Sequence, residues 1–301
     1  MKTKLFLCIA VVSQLVFASC KPDVIEITSE TNFSVGPDQL DPTSTKTFVA
    51  TTEDRSASRT ELSESVNANG CYSLYWTSGD KISVSDGKGI ATFVTYDSET
   101  TEAEFIRSEG TIDFEATNYT AFYPATITHS NMVLPPTQNY VDGNINNFPM
   151  MAESNDKNLA FKNLCGIIRF CLKSETDDQL SITSICLSAD EGMSGNFVVG
   201  SDHAAVVTDT DGIVLNCEQP VVLSSTTATD FNIAVPQGDY FPLNVKIYDN
   251  EGREVNLISE GTVPVKRSEI TRINLTISET SFDSSLETIP VTDVDVDFTI
   301  R

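Results

Sequence analysis

The sequence is poor in histidine, tryptophan and positive charge. Its 301 residues hold two histidines, one tryptophan, and 19 Lys and Arg against 43 Asp and Glu, for a formal net charge of −24. So acidic a chain repels phosphate backbones, which excludes nucleic acid as a partner. His129 and His203 lie far from any cysteine cluster, and no CxxC occurs. A tetrahedral metal site needs tighter ligand spacing than this, so no metal is expected. "GMSGN" (192–196) is not a GxSxG elbow, and neither histidine has a recognisable catalytic partner. "DTDG" (209–212) opens like a calcium loop but lacks the third acidic ligand and the closing Glu, so it reads as a turn. No catalytic residue and no cofactor is expected, and the chain does not read as an enzyme. Nor does any window of a dozen residues carry an apolar stripe at helical spacing.

What is present begins with a leader. Lys2 and Lys4 precede the mostly apolar run Leu5–Phe17, which is too short for the roughly 20 residues of a membrane span. Leu15-Val16-Phe17-Ala18-Ser19-Cys20 resembles the lipobox of bacterial lipoproteins. That resemblance implies a signal peptide over 1–19 and an acylated Cys20, palmitate-bearing, as first mature residue. Residues 20–45, rich in Pro, Thr, Ser and Asp, read as a tether.

From Lys46 onward the pattern has period two. In "KTFVATT" (46–52), Phe48 and Ala50 alternate with Val49 and Thr51; in "DKISVSDGKG" (80–89), Ile82 and Val84 share one face. "LNVKIYDNEGREVNL" is a hairpin turning at Asn250-Glu251-Gly252. The expected fold class is all-β, with short strands of mostly antiparallel sheet in two sandwiches, over 46–160 and 161–280. The apolar stretch 159–172 passes from the first to the second. Cys71, Cys165, Cys171, Cys186 and Cys217 are odd in number; Cys165 and Cys171 read as packing neighbours on one strand face rather than as a disulfide.

Two segments invite more than structure. "EDRSASRTEL" (53–62) places Arg55 and Arg59 in a small, polar stretch suited to an Arg-specific protease. The extension 281–301 ends in "PVTDVDVDFTIR", where Val294, Val296, Phe298 and Ile300 alternate with Asp293, Asp295, Asp297, Thr299 and Arg301. Such a strand has an apolar row that needs a partner, either in its own domain or in a neighbouring molecule by strand addition.

"FVATTEDRSASRTELS…LYWTSGDKISVSDG" resembles the amino-terminal signature of the fimbrillin superfamily, pilus subunits of anaerobic Gram-negative bacteria. Arg59-Thr60, Trp76 and Gly79-Asp80 through Gly87 carry the likeness, and "YTAFYPA", "LPPTQNYVDG…FPMMAES", "LAFKNLCGIIRFCLKS" and "FNIAVPQGDY" follow in the family's order. The resemblance implies two transthyretin-like sandwiches and an outer-membrane lipoprotein precursor displayed at the cell surface in a fimbrium. It implies that an Arg-specific protease cutting at Arg55 or Arg59 removes the first strand. The groove so opened would take the carboxy-terminal strand of another fimbrial subunit, with Val294, Val296, Phe298 and Ile300 as its inward row. Tip and anchor subunits differ in whether they donate a strand. A surface lipoprotein that binds glycans without polymerising is the other reading, which the single Trp76, set before a strand rather than in a loop, does not encourage.

Overall fold

The computed structural model describes residues 47–53, 58–59, 61–62, 74–145, 147–177, 180–209, 211–283, 287–289 and 294–299. The fold is all-β: among the described residues there is no α-helix, only a 3-10 turn at Glu279–Asp283. The strands used below are β1 (Thr47–Thr51), β2 (Lys81–Ser85), β3 (Ile90–Thr95), β4 (Glu102–Gly110), β5 (Tyr119–Tyr123) and β6 (Thr137–Asn139). They continue with β7 (Met150–Ser154), β8 (Asn158–Ala160), β9 (Lys162–Asn163), β10 (Cys165–Ser174), β11 (Ser181–Ser188) and β12 (Ile213–Val222). The last are β13 (Thr229–Pro236), β14 (Asn244–Asp249), β15 (Glu254–Ser259), β16 (Glu269–Ile277), β17 (Glu287–Ile289) and β18 (Val294–Thr299).

One sheet runs β8-β1-β4-β3-β2-β5-β7-β9, a second β6-β12-β11-β14-β15-β17, and a third β13-β10-β16-β18. Most pairings are antiparallel, as the sequence suggests. Five among the described residues are parallel: β1 with β8, β6 with β12, β10 with β16, β15 with β17, and the short Ser58–Arg59 with Leu74–Tyr75. Parallel neighbours cannot be joined by a tight turn, so they bring together segments distant in the chain. That is why hairpin signals do not reveal them.

Alternation decides which side chains enter the core. Phe48 and Ala50 of β1, Ile82 and Val84 of β2, and Phe105 of β4 are fully buried. They join Trp76, Phe93, Tyr123, Phe148 and Phe161 in one apolar cluster. A second gathers Phe170, Ile185, Leu215, Phe231, Ile247, Val255 and Ile273. β10 supplies both, Cys165 and Ile167 to the first and Ile168, Phe170 and Leu172 to the second. Its long apolar run, interrupted by the buried Arg169, reflects burial on both faces rather than a missing period.

The hairpin expected at 250–252 is present. β14 pairs with β15 from Asn244↔Ile258 to Tyr248↔Glu254, and Gly252 takes a left-handed φ of 78°. Asp249 Oδ1 fixes the turn by accepting from the Glu251 and Arg253 amides at 2.9 and 2.8 Å. In the 209–212 segment, read in sequence as a turn, Thr210 lies outside the described residues and Asp211 forms an isolated bridge with Ser194. Asp209 Oδ2 accepts from the Asn196 amide at 2.6 Å and from Asn196 Nδ2 at 2.8 Å.

Candidate site: the slot of the first strand

β1 looks like a terminal strand in sequence but lies inside its sheet. It pairs antiparallel with β4, from Thr47↔Ile106 to Thr51↔Glu102, and parallel with β8, from Val49↔Asn158 to Thr51↔Ala160. Taking it out would leave two rows of backbone donors and acceptors facing an open gap.

The inward row of β1 is Phe48, Ala50 and then Thr52, all buried. The Phe48 ring meets Phe93 and Tyr119 edge-on, each at 5.0 Å between centroids, and lies tilted against Phe114 at 5.8 Å. Such contacts add to the roughly 1.5–3 kcal/mol of burying a Phe. Ala50 contributes a carbonyl instead of bulk: Trp76 Nε1 donates to its oxygen at 3.0 Å. Trp76 is fully buried and boxed edge-on by Phe105, Tyr123 and Phe161. Without β1 its N–H would have no acceptor there, a cost of about 1–3 kcal/mol. Thr52 is a poorer fit, because its buried Oγ1 has no hydrogen-bond partner.

The strand ends in a charged clasp. Arg267 Nη1 lies 2.8 Å from both carboxylate oxygens of Glu53, and Lys162 Nζ is 3.7 Å from Oε1. Ser268 Oγ donates to Glu53 Oε2 at 3.0 Å and accepts from Asn163 Nδ2 at 3.0 Å. The turn carrying Arg267 is seated against β10: the Ser268 amide donates to the Cys165 carbonyl at 3.0 Å, and Ser268 has a left-handed φ of 60°. Gly166 permits that approach, since a Cβ there would collide with the Lys266 carbonyl oxygen. The clasp therefore joins residues 214 apart in sequence, which no local pattern announces.

Burial pushes the Glu53 carboxyl up, but Arg267, Ser268 and Lys162 outweigh it and hold the group below its ordinary value. A lowered folded value means stability that is present above the unfolded value of about 4.5 and lost as pH falls through the folded one. Glu53→Gln should cost about 1.5–3 kcal/mol near neutrality, the range for a charge-assisted hydrogen bond. The gap between variant and wild type should close on acidification. Urea unfolding of both at pH 7 and pH 3 measures it; a gap that does not shrink would mean the clasp is not ionic.

The residues singled out in sequence are placed unevenly. Cys20, Arg55 and Ile300 lie outside the described residues. Arg59 belongs to the short Ser58–Arg59 strand, where it pairs with Tyr75. Val294, Val296 and Phe298 lie in β18, which pairs antiparallel with β16 of the same chain at the sheet edge. Its register slips between Val296 and Phe298, leaving Asp297 as the extra residue. Cys165, Cys171, Cys186 and Cys217 are free thiols; burial pushes Cys171 up to about 12 and Cys217 to about 11, which leaves them protonated and unreactive at neutral pH. The Trp76–Ala50 hydrogen bond and the Glu53–Arg267 clasp are what sequence reasoning missed.

No family model matches the chain, and no curated protein matches it. Solved structures do. One is a protein provisionally assigned to cell adhesion from Bacteroides ovatus, 13% identical, covering 78% of this chain and 93% of that one at a TM-score of 0.46. Another, of the same provisional assignment from Bacteroides uniformis, is 16% identical over 83% of this chain and 96% of that one, also at 0.46. The tip fimbrial protein Mfa3 of Porphyromonas gingivalis is 10% identical over 76% and 94%, at 0.30. The structural neighbours are adhesion and fimbrial proteins of Bacteroidales.

Proposed function

We propose that this chain is a structural, non-enzymatic subunit of a fimbria that supports adhesion. It is exported as a lipoprotein precursor anchored through Cys20 and polymerised by strand exchange after Arg-specific proteolysis. The observation that carries this reading is the position of β1. A strand that ends at Thr51, four residues before Arg55, fills an inner slot and can be cut from the rest of the chain without breaking any other described strand. Its loss exposes an apolar pocket and unpaired backbone on both sides, which only another strand closes well. Head-to-tail repetition of that contact makes a filament.

Arg59 is paired to Tyr75, whereas a protease needs its substrate extended and unpaired. In this reading the cut is assigned to Arg55, which gives Ser56 as the new amino terminus, with Arg59 as the other candidate. Arg55→Gln should block processing by an Arg-specific protease while Arg59→Gln leaves it intact, read by mass spectrometry of the mature terminus. The function itself is tested by treating the full chain with that protease and running the product without boiling. A ladder of oligomers is expected, and it should vanish when 291–301 is deleted. Equal behaviour of full and truncated chains would refute strand donation.

Among the described residues β18 pairs with one neighbour and in an irregular register, so its release breaks one ladder rather than two. Tip and anchor roles share the slot but differ in the use of the tail.

A further inference from the structure

The slot discriminates among occupants by size and by charge, and these two criteria together fix how a tail would enter. Its inward positions are Phe48, Ala50 and Thr52, followed by Glu53 in the clasp. Among these inward positions Phe48 alone is ring-sized, and its pocket is walled by Phe93, Phe114 and Tyr119. The tail 291–301 has a single aromatic residue, Phe298. With Phe298 in that pocket and the tail running in the sense of β1, Ile300 would replace Ala50 and Asp293 would lie at the end of the strand away from the clasp. Running the opposite way, Val296 replaces Ala50 and Val294 replaces Thr52. The second exchange swaps a hydroxyl without a hydrogen-bond partner for a methyl of the same shape. The next residue, Asp293, then falls where Glu53 stood.

We infer that residues 291–301 of a second copy enter the slot antiparallel to the departed β1, with Phe298 in the Phe48 pocket and Asp293 received by Arg267 and Lys162. This inference rests on the strand-exchange reading and adds to it a register, a direction and a carboxylate-reading site. The clasp explains why an acidic residue is required at that end. Once Glu53 leaves, Arg267, only 21% exposed, and Lys162 would face each other with no carboxylate between them.

The outer row carries the opposite sign. In this register Asp295 and Asp297 take the places of Thr51 and Val49, whose partners on β4 are Glu102 and Glu104, both exposed. Like charges set side by side on a sheet oppose binding. Three aspartates alternating on one strand therefore have different effects: one attracts and two repel.

Labelled peptides of residues 291–301 test this against the full chain treated with an Arg-specific protease, with the peptide in excess over the chain's own tail and binding read by fluorescence anisotropy. Asp293→Asn should weaken binding about tenfold, as expected for a charge-assisted contact worth about 1.4 kcal/mol. Asp295→Asn and Asp297→Asn should bind as tightly as wild type or more tightly, and Phe298→Ala should lose roughly a hundredfold or more. The Arg267→Glu chain should prefer the Asp293→Lys peptide. Because the peptide substitutions leave the protein untouched, folding defects cannot mimic their effects. If all three aspartates behave alike, the register is wrong while strand exchange stands. If the unsubstituted peptide does not bind at all, the strand-exchange reading falls and the register with it.

Discussion

Replacing Phe48 by alanine should cost the fold about 3–5 kcal/mol, the range for emptying a fully buried aromatic site. The ring is wholly buried and contacts three others. The rest of the inward row cannot compensate, since Ala50 is small and Thr52 already buries a hydroxyl with no partner. Because Phe48 is the only large side chain on β1, the loss falls on the attachment of that strand rather than on the sheet as a whole. Urea unfolding should show a lower midpoint, and processing at Arg55 should become faster as β1 opens more often. A cost below about 1 kcal/mol would mean that β1 is held by its backbone ladder and clasp instead, and that the Phe48 pocket is not the anchor.

Gly166→Ala should be a strongly damaging single-methyl change, at about 3 kcal/mol, the upper end for overpacking. A Cβ at that position meets the Lys266 carbonyl oxygen and, at 2.8 Å, Cγ1 of Val265. The carbonyl is backbone and cannot rotate away, so the turn carrying Arg267 must shift off β10. Two readouts should move together. Thermal unfolding should come earlier, and the acid-sensitive part of stability assigned to Glu53 should shrink, because its partner is displaced. Loss of stability with the Glu53 dependence intact would show that the turn moves without carrying Arg267 with it.

How much of this was legible in the sequence depends on range. β1, β2 and the 244–259 hairpin follow from period two and turn chemistry, which act over a few residues. The fold class was legible for the same reason. The 159–172 stretch showed that it was buried but not how, because a strand covered on both faces has lost its alternation. The parallel neighbours, the Trp76–Ala50 hydrogen bond and the Glu53–Arg267 clasp were not legible. Each joins distant segments, and with 43 acidic residues nothing distinguishes Glu53 from the rest until Arg267 is beside it. The inward row of the tail could be read as apolar, but its match to the slot needed the sizes of Phe48, Ala50 and Thr52 in place.

The parallel pairing of β10 with β16 has a mechanical consequence. Eight consecutive residues, Ile167 to Ser174, lie beside Ile270 to Ile277 in unbroken register, and the chain runs from the far end of β16 through the 3-10 turn and β17 to the tail. Tension drawn through that tail runs along the ladder, so its bonds are strained in shear and must rupture together instead of unzipping one by one. A polymer of such units under fluid drag would resist stretching through its inner sheets, and its weakest link would lie at the joints between subunits.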